Sequence, residues 1–287
     1  MGAEVEEPEQ VSASGTSSHK QDKFPQAGQV PASGNWNRRT RMANDELTIE
    51  GRNAVIEAFR SGKTIDKLYI LDGCQDGPIL TIQREAKKQG SLMKYVSKER
   101  LNQLSETGKH QGVIAVAAAY EYASVEDILQ RAKEKGEPPF LILLDNIEDP
   151  HNLGAIIRTA NLAGAHGIIV PKNRAVGLTA TVARTSAGAL NYTPVAKVTN
   201  LAQTIEALKK EGLWFVCAHM EGTIMYELDL KGPIGLVVGN EGEGVSRLVK
   251  EKCDMAAAIP MKGDIDSLNA SVAAGVLAYE ILRQRMN

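Results

Sequence analysis

The chain has 287 residues, with 33 basic and 35 acidic side chains, a formal net charge of −2 and 43% hydrophobic residues. That length implies about two domains at ~150 residues each, and the balanced charge excludes a protein that coats nucleic acid by bulk cationic charge, while leaving room for a local basic face. The longest apolar run, Val113 to Tyr120, has eight residues, far short of the ~20 a spanning helix needs; three scattered cysteines (Cys74, Cys217, Cys253) and five histidines without metal spacing predict no disulfide framework, no metal site and a reducing cytoplasm.

Residues 1–45 read as a disordered tail. The first ten residues hold four Glu and no apolar stretch, so no signal peptide is expected. Val5, Val11, Phe24 and Val30 are too few to offset chain entropy by burial. Arg38, Arg39 and Arg41 suit a solvated tail or a weak phosphate-binding arm.

Residues 46–122 read as a small α/β domain. "NAVIEAFRSG" predicts a helix ending at Gly62, "IDKLYIL" a strand, and "PILTIQREAKKQG" a helix between Pro78 and Gly90. "LMKYV" predicts a strand, "KERLNQLS" a helix and "GVIAVAAAY" a buried strand. Between Arg84 and Lys109 seven Lys/Arg stand against three Glu. That excess fits a solvated helix face or a contact with phosphates.

Residues 123–139 predict an amphipathic helix and linker, opened by Ser124 and Asp127 in capping positions and closed by Pro138-Pro139. From Phe140 to Asn287 a second α/β domain follows. Its strand candidates, "FLILLD", "GIIV", "LWFVCA", "IGLVVG" and "AAAIP", are short and apolar, as expected for strands buried on both faces. Helices are expected over 152–163, 201–211, 245–252 and 269–283. The pattern predicts a mostly parallel sheet with ligands beyond the C-terminal ends of its strands.

Three segments at those ends carry polar residues that packing does not explain. In "LLDNIEDPHNLGAIIRTANLAGA", Asn152 is a candidate N-cap, and Arg158 sits amid small and apolar neighbours. A surface or interface Arg is the plain alternative. "IGLVVGNEGEGVSRLV" places Gly239 to Gly244 between a strand and a helix. It fits neither the dinucleotide nor the nucleoside-triphosphate fingerprint. Glu241 and Glu243 there favour a neutral or cationic ligand over a phosphate, unless the loop is only a tight turn. In "AAAIPMKGDIDSLNASVAAGVLAYE", Ser267, Leu268 and Asn269 precede a helix of small residues. Plain capping would also account for Ser267 and Asn269. No Ser-His-Asp order or paired-carboxylate spacing suggests a hydrolase.

Taken together, "NLGAIIRTANLAGAHGIIVP", "GLVVGNEGEGV" and "IPMKGDIDSLNASVAAGVLAYE" resemble, in order and spacing, the three motifs of the SpoU (TrmH-type) RNA ribose 2′-O-methyltransferases of the SPOUT superfamily. The resemblance covers Phe140 to about Arg285. "GRNAVIEAF" and "HQGVIAV" resemble the small substrate-binding domain found in one branch, which acts on a guanosine of 23S rRNA in the peptidyl-transferase region. The resemblance implies an α/β fold with a SPOUT-type sheet, helices on both faces and a trefoil knot. It also implies a homodimer, an RNA substrate, no DNA and no membrane, and S-adenosyl-L-methionine as methyl donor without a metal. Gly239, Ile259 and Leu268 match donor-binding positions. Asn152, Arg158, Glu241, Ser267 and Asn269 match the polar active-site positions. The resemblance makes Arg158 the candidate to accept the 2′-hydroxyl proton, or alternatively to orient a phosphate and stabilise the oxyanion. Rival expectations are a tRNA or other rRNA ribose as acceptor, and a non-catalytic RNA-binding assembly protein.

Overall fold

The computed structural model describes residues 47–265 and 267–286. The expected disordered tail and its Arg cluster lie outside the described residues.

The first sheet has four strands in the order β1 (Leu47–Glu50), β4 (Val113–Ala117), β2 (Ile65–Leu71), β3 (Leu92–Val96). Three helices pack on it: α1 (Arg52–Arg60), α2 (Gly77–Gln89) and α3 (Lys98–Leu104). The sheet is mixed, because β1 and β2 run antiparallel to β4 while β2 and β3 are parallel. α2 shows why the local sequence suffices. Asp76 accepts the Ile79 N–H as N-cap, Pro78 fills the first turn, and Gly90 ends the helix in the left-handed region at φ 71°. β1 was not anticipated, since four residues at an edge carry too little pattern.

α4 (Val125–Lys135) opens with a full capping box, in which the side chains of Ser124 and Asp127 each accept the other's backbone N–H. The second sheet follows, in the order β10 (Met255–Ala258), β8 (Trp214–Ile224), β9 (Ile234–Val238), β5 (Phe140–Leu144), β6 (Gly167–Pro171), β7 (Val195–Val198). Every pairing in it is parallel. Helices α5 (Pro150–Leu162), α6 (Ala180–Thr185), α7 (Leu201–Lys210), α8 (Arg247–Lys250) and α9 (Ala270–Arg285) cover it. Alternate residues of β5 feed opposite cores. Ile142 and Leu144 pack with Ile156, Ile157 and Ile281, while Leu141 and Leu143 pack with Ile128, Ile205 and Val249. Each such side chain, fully buried, contributes roughly 1.5–3 kcal/mol. Burial on both faces is the reason these strands read as unbroken apolar runs.

Three departures from expectation have simple causes. β7 was missed because Lys197 interrupts a four-residue strand. α6 was missed because its six residues, capped by Thr179, are too short to show a helical period. α8 spans only Arg247–Lys250, shorter than 245–252, because the glycine loop before it turns through Val245 and Ser246 before the helix starts. At the end of the chain, the Arg285 guanidinium donates to the carbonyls of Pro138, Pro139 and Gly232 at 2.6–2.9 Å and lies 5.2 Å from the Phe140 ring centroid. Burial lowers its pKa from the usual Arg value, partly countered by the Glu137 charge.

Candidate active site

The three polar segments meet beyond the C-terminal ends of β5, β9 and β10. The first turn is built around Pro150. A proline at the first helical position has no N–H to satisfy, so the cap moves upstream. Asp149, not Asn152, is therefore the N-cap of α5, accepting the His151 N–H at 2.8 Å. The Asn152 side chain is freed for another task and is buried.

That task is a three-way junction. Asn152 Nδ2 donates to Glu241 Oε1 at 2.7 Å, and Asn269 Nδ2 donates to the same oxygen at 2.8 Å. Asn269 Nδ2 also reaches Asn152 Oδ1 at 3.0 Å, and the Ala270 N–H donates to Glu241 Oε1 at 3.1 Å. Asn269 keeps its capping role too, because its Oδ1 accepts the N–H groups of Ser271 and Val272. Burial by itself would raise the Glu241 pKa. Hydrogen bonds from its own N–H, the Ala270 N–H and Asn152 outweigh this and hold the carboxyl below its usual range.

The loop carrying Glu241 is held by its own backbone. Asn240 Oδ1 accepts the N–H groups of Gly242 and Glu243 at 3.0 and 2.7 Å. Gly244 adopts φ 67°, and the chain folds back over Gly239, where any Cβ would collide with the Gly244 backbone. Asp145, at the end of β5, fastens the far side by accepting the Ser246 N–H at 2.8 Å.

This folding leaves a cavity whose wall includes Gly239, Ile259 and Leu268, with exposed Ser267 on its rim. Apolar side chains, bare glycine backbone and the Glu241 and Glu243 carboxylates suit a flat, neutral or cationic nucleoside-like molecule. A second cavity, bordered by Asn146, Asn152 and Arg174, lies across the Asn240–Glu243 loop from the first. His219 and Met220 of β8 also line the first cavity, and Lys250 Nζ lies 2.7 Å from His219 Nε2. No sequence motif marks these residues. They reach the site because β8 runs past its neighbours to Ile224.

Arg158 stands apart from the junction. It is exposed on α5 and makes no hydrogen bond or ion pair among the described residues. Ser267 likewise makes no hydrogen bond among them. Among the described residues no group of three or more His, Cys, Asp or Glu side chains is placed to hold a metal ion.

The family model for the SpoU rRNA Methylase family matches residues 139–279, and the model for RNA 2′-O ribose methyltransferase substrate binding matches residues 48–123. A TrmH family tRNA/rRNA methyltransferase of Bacillus subtilis is 50% identical over 245 residues, covering 85% of this chain and 98% of the relative. A relative of the same description from Staphylococcus saprophyticus is 47% identical over 242 residues, 84% of this chain and 97% of its own length. Among solved structures, the SpoU methyltransferase AviRb of Streptomyces viridochromogenes in complex with AdoMet is similar at a TM-score of 0.53 and 27% identity, over 88% of this chain and 94% of that one. An AdoMet-bound rRNA methyltransferase of Sinorhizobium meliloti is similar at 0.52 and 26%, over 84% and 88%.

Proposed function

The chain belongs to the SpoU rRNA methylase family and is an S-adenosyl-L-methionine-dependent RNA 2′-O-methyltransferase; from that premise we propose that its acceptor is a guanosine ribose of 23S rRNA in the peptidyl-transferase region, methylated by a homodimer in the cytoplasm. The observation that carries the catalytic reading is the Asn152–Glu241–Asn269 junction beside the cavity of Gly239, Ile259 and Leu268. The family's trefoil knot belongs to the same reading.

When bound, S-adenosyl-L-methionine supplies an electrophilic methyl group. Gly239, Ile259 and Leu268 would hold its nucleoside part, and the Glu241 and Glu243 carboxylates would suit its positive sulfonium. The junction fixes the wall between donor and acceptor, and holding two reactants in line supplies much of the acceleration. Arg158 takes the acceptor side. A guanidinium presents a rigid planar fork of N–H donors and no acceptor. Its task is therefore to grip the substrate phosphate with its planar fork and stabilise negative charge growing on the 2′-oxygen. Ser267 positions the ribose.

The homodimer is supported by α9. Val272 and Tyr279 stay 49% and 48% exposed, and Leu162 of the adjoining α5 is 62% exposed. A second copy seated on this apolar face would bring its own surface up to Arg158 and complete the acceptor site.

The test is methyl transfer from labelled donor to protein-free 23S rRNA and to bulk tRNA, side by side, with mapping of the 2′-O-methylated positions. Label at one rRNA guanosine is expected. Label in tRNA would keep the chemistry and overturn the acceptor. RNA binding without transfer to either would favour the non-catalytic reading.

A further inference from the structure

The segment between the two sheets, read in sequence as the end of the small domain, is a strap. Ala119 N–H donates to the Leu178 carbonyl at 2.8 Å, and Ala123 N–H to the Val195 carbonyl at 2.9 Å, where Ala123 bridges the edge of β7. Across this strap runs an ion pair joining the two sheets. Asp66 of β2 and Lys197 of β7 meet at 2.5 Å, with side chains only 4% and 16% exposed. Tyr122 of the strap donates to Asp66 Oδ2 at 3.2 Å, accepts the Leu178 N–H at 3.1 Å, and offers its ring to Lys197 Nζ at 4.8 Å.

Asp66 is aimed there by a local irregularity. Ile65 pairs with Ala117 and Lys67 with Val116, so Asp66 is an extra residue without a partner in β4. Such a bulge redirects a side chain at the cost of one ladder position. Gly177 makes room, since any Cβ there would collide with Asp66 Oδ2. A second contact lies nearby, because Lys172 Nζ occupies the space beside Gly90, at the carbonyl end of α2, where a cation is favoured. A buried ion pair adds little stability over an apolar contact, and its best-attested use is to fix one arrangement among several.

We propose that the Asp66–Lys197 pair, braced by Tyr122, is a positioning device that fixes the RNA-binding sheet relative to the methyl-transfer cavity, and thereby selects which ribose of a bound RNA is methylated. The pair touches neither donor nor acceptor. It acts as a spacer between the place where RNA is gripped and the place where it reacts. The inference rests on the RNA methyltransferase reading above.

Three variants test it: Asp66→Asn, Lys197→Met, and the double variant, which leaves no unpaired buried charge and so guards against simple misfolding. Each is assayed on a protein-free 23S rRNA transcript for kcat/KM and for the distribution of 2′-O-methyl groups, with donor affinity measured by calorimetry. The expected result is a 10- to 100-fold fall in kcat/KM, since a displacement of ~1 Å can cost ~10²-fold, with methyl groups spreading to neighbouring riboses and donor affinity at the wild-type value. A wild-type methylation pattern and rate in the folded double variant would overturn the inference. So would a loss of donor affinity parallel to the loss of rate, because the pair would then be supporting the fold as a whole. A wild-type chain that methylates no RNA would overturn the proposed function itself.

Discussion

Asn152 and Asn269 lie 117 positions apart, yet one donates to the other at 3.0 Å and both donate to a single carboxylate oxygen of Glu241. One carboxylate thus joins the turn after β5, the glycine loop after β9 and the start of α9. The cavity of Gly239, Ile259 and Leu268 is walled by two of these three, the glycine loop and the start of α9.

Asn152→Ala removes a buried amide from this junction and leaves its partners short of hydrogen bonds. A stability loss of about 1–3 kcal/mol is expected, the usual cost of an unmade buried hydrogen bond. Thermal unfolding measures it, and calorimetric titration should show weaker donor binding in the same variant. Undiminished donor affinity would mean that the junction does not shape the cavity.

Acid should release the same junction. The Glu241 carboxyl is held below its ordinary range in the fold, so the folded state binds its proton later than the unfolded state does. Its stabilising contribution is fully present above the unfolded value of ~4.3 and disappears as pH falls through the lower folded value. Stability should therefore stay level from neutral pH to about pH 5 and decline below it, whereas donor affinity should decline only where the folded carboxyl takes up its proton, below its ordinary range. Glu241→Gln should flatten that decline while binding donor more weakly throughout.

Arg158→Lys separates function from folding. The side chain is exposed and makes no hydrogen bond or ion pair among the described residues, so stability should shift by no more than about 0.5 kcal/mol. Most methyl transfer should nevertheless be lost, because an ammonium lacks the two-pronged geometry of a guanidinium. Near-wild-type turnover in the folded variant would remove Arg158 from the reaction.

Tyr279→Asp places a charge on the apolar face of α9. If the proposed homodimer forms through this face, sedimentation should show a dimer for the wild type and a monomer for the variant, and methyl transfer should vanish with the dimer. An active monomer would show that one chain completes the site alone.

His166 sets a separate pH limit, on the fold alone. Its side chain is fully buried; Nδ1 accepts the Phe140 N–H at 3.0 Å, and Nε2 lies 3.1 Å from Glu137. Burial, aided by the Lys135 charge, lowers its pKa despite Glu137. The unfolded chain therefore takes up this proton first, and stability should decline as pH drops from ~6.5 toward the lower folded value. His166→Gln should flatten that slope in a denaturation series.

The sequence disclosed its longer elements well. β2 and β3 fall where alternation and branched residues place them, and the caps at Ser124 and Gly90 were visible as residue types. The site segments were legible because polar residues at the ends of apolar strands have no packing reason to be there. The wiring between them was not. Asn152 read as a cap, and only three dimensions show that Asp149 takes that role and releases it. Asp66 and Lys197 gave no signal at all, because their meaning lies in a pairing across 131 positions. His219 was equally silent, since its place at the cavity follows from the length of a strand.

Arg285 closes the last helix onto Pro138 and Pro139, just ahead of the first strand of the large sheet. During synthesis, then, the first half of this sheet waits for the final residues before it is fastened. The four-stranded sheet, complete by Ala117, has no such wait. The order of synthesis therefore completes the four-stranded sheet, the part matched by the substrate-binding family model, before the last helix of the six-stranded sheet has been made.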